Sequence, residues 1–161
     1  MIPSAYFRLR RGLTLIEVLI AAGIVVAALA VIVVLVNPLA RLKENRDHNR
    51  QEDVVDLLEA LEEYKLQTGA YPAAIDDVYD HFQVLGTERV GCDAGCGTIN
   101  TVTACLNLAT DLASTALRGI PIDPENGTAQ QSGYAVNMAE NGRLTVLACG
   151  PESTEQISAT K

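Results

Sequence analysis

Hydrophobic and polar positions divide the chain into zones before any single residue is weighed. Residues 18–36, VLIAAGIVVAALAVIVVLV, carry no charge, and about 20 consecutive apolar residues span a hydrocarbon core of about 30 Å. A buried helix of a small soluble domain rarely stays apolar for so long, so the run reads as a membrane segment. The stretch 43–53, KENRDHNRQED, is polar all round and holds no glycine or proline. Such a helix bridges between environments, with Lys43 and Asp47 spaced as an i,i+4 pair. Apolar periodicity returns at Val54, Leu57, Leu58, Leu61, Tyr64 and Leu66, a helical stripe suited to packing on a sheet. Asp56, Glu59, Glu62 and Glu63 take the outer face as a solvated charge run. Gly69 is placed to end the helix as its C′ residue, and Tyr71, which precedes Pro72, is pushed to an extended conformation. The prediction is a helix from Leu13 to about Thr68, about 55 residues and about 80 Å long. Pro38 removes the hydrogen bond to the Val34 carbonyl and kinks or loosens it.

Beyond Pro72 the elements are short. Residues 75–85, IDDVYDHFQVL, fit a helix with Ile75, Val78, Phe82 and Leu85 on one face. Residues 106–117, LNLATDLASTAL, fit another, stopped by Arg118-Gly119. The segment Ile120 to Pro124 is a proline-fixed connector. The period then changes to two: SGYAVNM and RLTVLAC flank Asn141-Gly142, a strong hairpin signal, and a last strand covers 156–160. The fold class is therefore α+β: a long N-terminal helix and a small head whose antiparallel sheet has about three strands.

Charge sharpens the picture. The 161 residues hold 12 Lys+Arg against 20 Asp+Glu, a net of -8, with 4% aromatic residues and no Trp. An acidic field repels phosphates and there are few rings for stacking bases, so nucleic acid is not expected as a direct partner. The basic residues are unevenly placed: Arg8, Arg10 and Arg11 precede the apolar run, and positive flanks stay cytoplasmic. The chain after the run then lies outside, with 9 basic and 20 acidic residues once the leader is set aside.

Three uses of the N-terminus compete. One is a secretory signal peptide, for which Ala28-Leu29-Ala30 has small residues at cleavage spacing. Another is a plain anchor. Both leave Glu17 unexplained, because a carboxylate within an apolar segment costs a few kcal/mol and is usually functional and paired. The third rests on Gly12-Leu13-Thr14-Leu15-Ile16-Glu17, which follows the basic leader and enters the apolar run. This segment resembles the processing motif of type IV prepilins and pseudopilins: a short basic leader ending in Gly, an apolar residue, and Glu as the fifth residue after the cut. Leu13 stands where Phe is commoner. The order of the later elements, with the PIDP connector, the GY strand, the Asn141-Gly142-Arg143 turn and the final strands, is similar to the heads of that family.

The resemblance implies a pilin-like lollipop. Residues 1–12 form a leader cut by a prepilin peptidase between Gly12 and Leu13, with N-methylation of Leu13. Residues 13–36 form the transmembrane and assembly half of the helix, and 37–161 the exported head. It implies a structural subunit, not an enzyme and without a cofactor, in a type IV pilus or a secretion-type pseudopilus. Its partners are like subunits, the peptidase, an assembly ATPase and platform, and the membrane. It places the protein in a bacterial inner membrane before assembly and afterwards in a surface or periplasmic filament. Glu17 lies one helical turn from the new Leu13 amine, so the two can neutralise each other in a monomer, and in a filament Glu17 instead takes the amine of a neighbour. The alternative is an anchored or secreted binding module that uses the N-terminus for targeting alone.

Four cysteines, Cys92, Cys96, Cys105 and Cys149, fall in the head. An even count in an exported domain points to two disulfides with three possible connectivities. The favoured pattern joins Cys92 or Cys96 to Cys105 and the other loop cysteine to Cys149. A zinc site with His81 is the weaker reading because the spacing is loose. His48 reads as solvated. Asp123-Pro124-Glu125-Asn126-Gly127 reads as a turn, since the acidic calcium loop of some pseudopilins is not recognisable there. No nucleophile elbow, phosphate loop or zinc-helix motif occurs.

Overall fold

The structure, a computed structural model, describes residues 12–153 and 155–161. The leader residues Arg8, Arg10 and Arg11 lie outside the described residues. The chain forms two compact units that divide in sequence between Ala40 and Arg41. It is α+β: an apolar helix α1 (Leu15–Val36), a second helix α2 (Pro38–Thr68) and a four-stranded antiparallel sheet.

The expected single helix is thus two. The interruption is Asn37, whose φ of 41° is left-handed. A residue before proline is disfavoured in the α region, and Asn is among the few non-glycine residues that tolerate the left-handed one. Pro38 then opens α2 at the position where its missing N–H costs nothing. At the other end the Gly69 N–H donates to the Lys65 carbonyl at 2.8 Å with φ 91°, the left-handed stop expected of a C′ glycine.

In the second unit the sheet runs β1 (Gln83–Val84), β2 (Tyr134–Met138), β3 (Leu144–Ala148) and β4 (Ser158–Thr160), in that spatial order. The β2–β3 hairpin pairs Tyr134 with Ala148 and Met138 with Leu144. It turns at Asn141-Gly142, where Gly142 has φ 76°. One strand more than expected is present, because Gln83–Val84 adds to β2.

Alternation sorts the sheet into two buried faces. Tyr134, Val136, Leu144, Val146 and Ala148 meet Val54, Leu57, Leu58, Ala60 and Leu61 of α2 in the main core. Ala135, Leu147 and Val84 face the other way, onto Cys92 and Cys96. The α2 stripe is as the spacing predicts except at its end, where Leu66 is exposed and Tyr64 is partly buried.

Two predicted helices do not form. Residues 75–85 make turns that lead into β1, with Ile75 and Leu85 buried but Val78 exposed. A polar network around His81 and Asn137 holds this segment in place of helical bonds. Residues 106–117 contain only a 3₁₀ turn at Leu112–Ser114. Leu106 is instead drawn into a bridge beside Leu85, its N–H donating to the Val84 carbonyl at 2.8 Å. In both places tertiary pairing outweighs a weak helical period.

Candidate functional site

Gly12 and Leu13 are exposed and precede the first helical turn. A β-carbon on Gly12 would meet no atom within 4 Å. Helix α1 starts at Leu15 because Thr14 caps it. Its Oγ1 accepts from the Glu17 N–H at 3.3 Å, and its carbonyl accepts from the Val18 N–H at 3.2 Å. Thr14 and Glu17 therefore stand at the N-cap and N3 positions of a T-x-x-E pattern, the sequence signature of a capping box. That pattern is legible in the sequence and gives Glu17 a local role besides pairing. It puts a carboxylate in the first turn, where the helix dipole favours negative charge. After Glu17 the helix is apolar on every side, and its span Leu15–Ile32 is wholly unburied and long and apolar enough to cross a membrane.

The polar stretch at the start of the second unit is not solvated all round. Arg50 is completely buried. Its Nε and Nη2 donate to Asp123 Oδ2 and Oδ1 at 2.6 and 3.1 Å, and its Nη1 donates to Asp47 Oδ1 at 2.8 Å. Asp47 therefore pairs with Arg50 and not with Lys43. It also accepts the N–H groups of Glu152 at 2.9 Å and Ser153 at 2.7 Å. Arg46 forks onto Glu152, with Nε 3.1 and 3.2 Å from its two carboxylate oxygens. One turn and a half of α2 thus ties down the connector at 123 and the chain after β3.

The connector is shaped for this. Asp123 Oδ1 accepts the N–H groups of Glu125 at 2.9 Å and Asn126 at 3.0 Å, making the expected turn. Gly133, with φ 86°, passes so near that a β-carbon there would collide with that of Asp123. Burial pushes the Asp123 carboxyl up, but the Arg50 bonds and the two backbone N–H groups outweigh it and leave the carboxyl below its ordinary value. Burial raises Asp47 as well, and the Glu152 N–H and Arg50 bring it net below. The position where a cation would be sought is filled by a guanidinium. Sequence reading missed Arg50, because a buried arginine within a polar helix has no periodic signature.

A second polar cluster holds residues 76–81. The His81 ring places Nε2 3.1 Å from Asp76 Oδ2 and Nδ1 3.1 Å from Asp80 Oδ1. A neutral imidazole has a single N–H, so satisfying both carboxylates requires the protonated ring. The Asp76 bond raises the His81 pKa, against a smaller loss from burial, and Asp80 adds to the rise. Asn137 Nδ2 on β2 donates to the carbonyls of Val78 and Tyr79, each at 3.3 Å, and to that of His81. His48 is solvated as expected, 3.6 Å from Glu52.

The cysteines form two bridges, Cys92–Cys105 and Cys96–Cys149, within the pattern left open by the sequence. No cysteine is free among the described residues, so zinc has no thiolate there. Among the described residues no group of three or more His, Cys, Asp or Glu is set to hold a metal ion. A shallow cleft of about 210 Å³ lies among Gly86, Asn107, Ile120, Ile122 and Ser132. It brings together no nucleophile and base. No protein-family model, curated protein or solved structure matches the chain.

Proposed function

We propose that this protein is a filament subunit of the type IV pilin-like class, cut between Gly12 and Leu13, methylated at Leu13 and polymerised through α1. The reading makes it a structural and not a catalytic protein, working with like subunits, a prepilin peptidase and an assembly ATPase and platform. What carries the reading is a helix whose span Leu15–Ile32 is exposed and, beyond one carboxylate, Glu17, in its first turn, apolar on every side. Such a surface needs lipid or other apolar helices around it. An unpaired carboxylate among them would be costly, so an adjacent Leu13 ammonium is its natural partner. The motif around Gly12 supplies that ammonium.

The alternative is an anchored binding module, and one observation favours it. Thr14 and Glu17 share a cap, so Glu17 has a local use even in a simple anchor.

The experiment is the mature N-terminus of wild type and Gly12→Val by mass spectrometry. A valine side chain has open space at residue 12, so a processing defect reports recognition by the peptidase and not misfolding. The pilin reading expects wild type to begin at methylated Leu13 and the variant to keep its leader. A start after Ala30, or normal removal of the leader from the variant, would sink it.

A further inference from the structure

The basic residues at the start of the second unit fall into two sorts. Arg46 and Arg50 are consumed, by Glu152 and by Asp123 with Asp47. Arg41 and Lys43 are exposed and have no ion pair or hydrogen bond among the described residues. Leu42, between them, is also exposed, 52% of its surface open to solvent. An apolar side chain between two unspent cations is a composition suited to the boundary between water and lipid.

The chain fixes what lies near this turn. Helix α1 has 22 residues, which at 1.5 Å per residue is about 33 Å, the thickness of a hydrocarbon core. Arg41 comes five residues after Val36. Even fully extended, five residues reach no more than about 18 Å, whatever the angle between the two units. Lys43, seven residues after Val36, is held to within about 25 Å, so if α1 crosses a bilayer both cations lie beside its headgroup layer, within about two to three Debye lengths of its surface. Interfacial backbone also suits the break at Asn37–Pro38, since groups freed from the helix there can be met by headgroups and water.

We propose that Arg41, Leu42 and Lys43 form a lipid-binding collar selective for anionic phospholipids: Leu42 seats at the acyl boundary while the two cations, on different sides of the helix, each contact a headgroup phosphodiester. Attraction of juxtamembrane Lys and Arg to anionic headgroups, with the stems lying along apolar surface, is the general physics of such segments. The remainder of the second unit strengthens the discrimination. Residues 41–161 hold 9 basic and 19 acidic side chains, so an anionic surface repels the head at large, while Arg41 and Lys43 precede its acidic residues in the chain. This deepens the membrane part of the proposed function and rests on it.

The test uses the full chain, extracted in mild detergent from membranes and reconstituted from an equimolar mixture of phosphatidylglycerol and phosphatidylethanolamine. The lipid retained after partial delipidation is measured by mass spectrometry. Wild type should enrich phosphatidylglycerol about tenfold. Arg41→Gln/Lys43→Gln should lose most of that enrichment, and Arg89→Gln/Arg118→Gln, which removes two cations elsewhere in the head, should keep it. Equal retention of the two lipids by wild type, or an unchanged preference in the first double variant, would overturn the collar. Carbonate extraction of the same membranes separates the two failures. A chain that resists extraction but shows no headgroup preference leaves the membrane reading standing and the collar refuted. A chain that is extracted refutes both.

Discussion

Arg50 and Asp123, seventy-three residues apart in the chain, form a buried two-point ion pair, with Arg50 Nε 2.6 Å from Asp123 Oδ2 and Nη2 3.1 Å from Oδ1. The planar fork of arginine matches a carboxylate in a way lysine does not. The pair joins the helix that precedes the head to the connector between the cysteine loop and the hairpin.

Truncating one partner leaves the other buried and alone. Arg50→Ala and Asp123→Ala should each lower stability by about 3 kcal/mol, and Arg50→Lys should recover little of it. The replacement of both by apolar residues should cost less than either single change. Urea unfolding monitored by circular dichroism checks all four. Because Asp123 and Asp47 are held below the ordinary carboxylate value, their contribution is complete above about pH 4 and is lost as pH falls through their folded values. Arg50→Ala should flatten that acid limb.

His81 works in the opposite direction. Its pKa is raised by Asp76 and Asp80, so its contribution is complete below the ordinary histidine value, about 6.5, and fades as pH rises through the higher folded value. Melting temperature should therefore fall modestly between about pH 6 and pH 8.5, and His81→Gln should remove that slope while leaving the acid limb. Amide exchange should show the loss centred on residues 76–81. A protection factor there that stays constant across that pH range, once the intrinsic rise of exchange with pH is divided out, would contradict the two-carboxylate clasp.

The bridges differ in what they hold. Cys92–Cys105 closes a short loop, whereas Cys96–Cys149 joins positions 53 apart and fastens the loop to the end of β3. Loss of the latter as Cys96→Ser/Cys149→Ser should cost about 2 to 5 kcal/mol and exceed the loss from Cys92→Ser/Cys105→Ser. Thermal unfolding of both variants under non-reducing conditions measures the order. Thiol labelling of the native wild type should find no reactive site.

The proposed assembly role of Glu17 and its place in the capped first turn can be separated by variants. Thr14→Val removes the cap and should weaken the first turn of α1 by about 1 kcal/mol, leaving filament yield close to wild type. Glu17→Leu should be cut, membrane-bound and folded in its head, yet absent from sheared and sedimented filaments, because the incoming amine finds no carboxylate. Equal, mild effects of the two changes would assign Glu17 to the cap alone.

The long-period features were legible in the sequence. The apolar run, the α2 stripe from Val54 to Leu61, the Gly69 stop and the Asn141-Gly142 hairpin depend on local spacing, and local spacing is visible in one dimension. The failures share a cause. Residues 75–85 and 106–117 have a fair helical period, but the strands supply partners that no local pattern reveals: Asn137 of β2 for three carbonyls of the first segment, and the β1 edge for Leu106. The polar clusters were hidden for the same reason. Asp47 was assigned to Lys43, four residues away, because its true partner, Arg50, is positioned by Asp123 from the far side of the head. The T-x-x-E cap at Thr14 is different, because its signal is wholly local and stands in the sequence itself.

Helix α1 is a cylinder without a marked side. Its apolar side chains show no stripe, so turning it about its own axis in an apolar medium changes its solvation free energy little. Sliding it lengthwise within such a medium is resisted almost as weakly. Glu17 breaks both degeneracies at once, since one carboxylate in the first turn marks a single meridian and a single height. An ordered packing of this helix can take its angle and its axial position from that one residue, leaving only the fit of side-chain ridges and grooves to refine them.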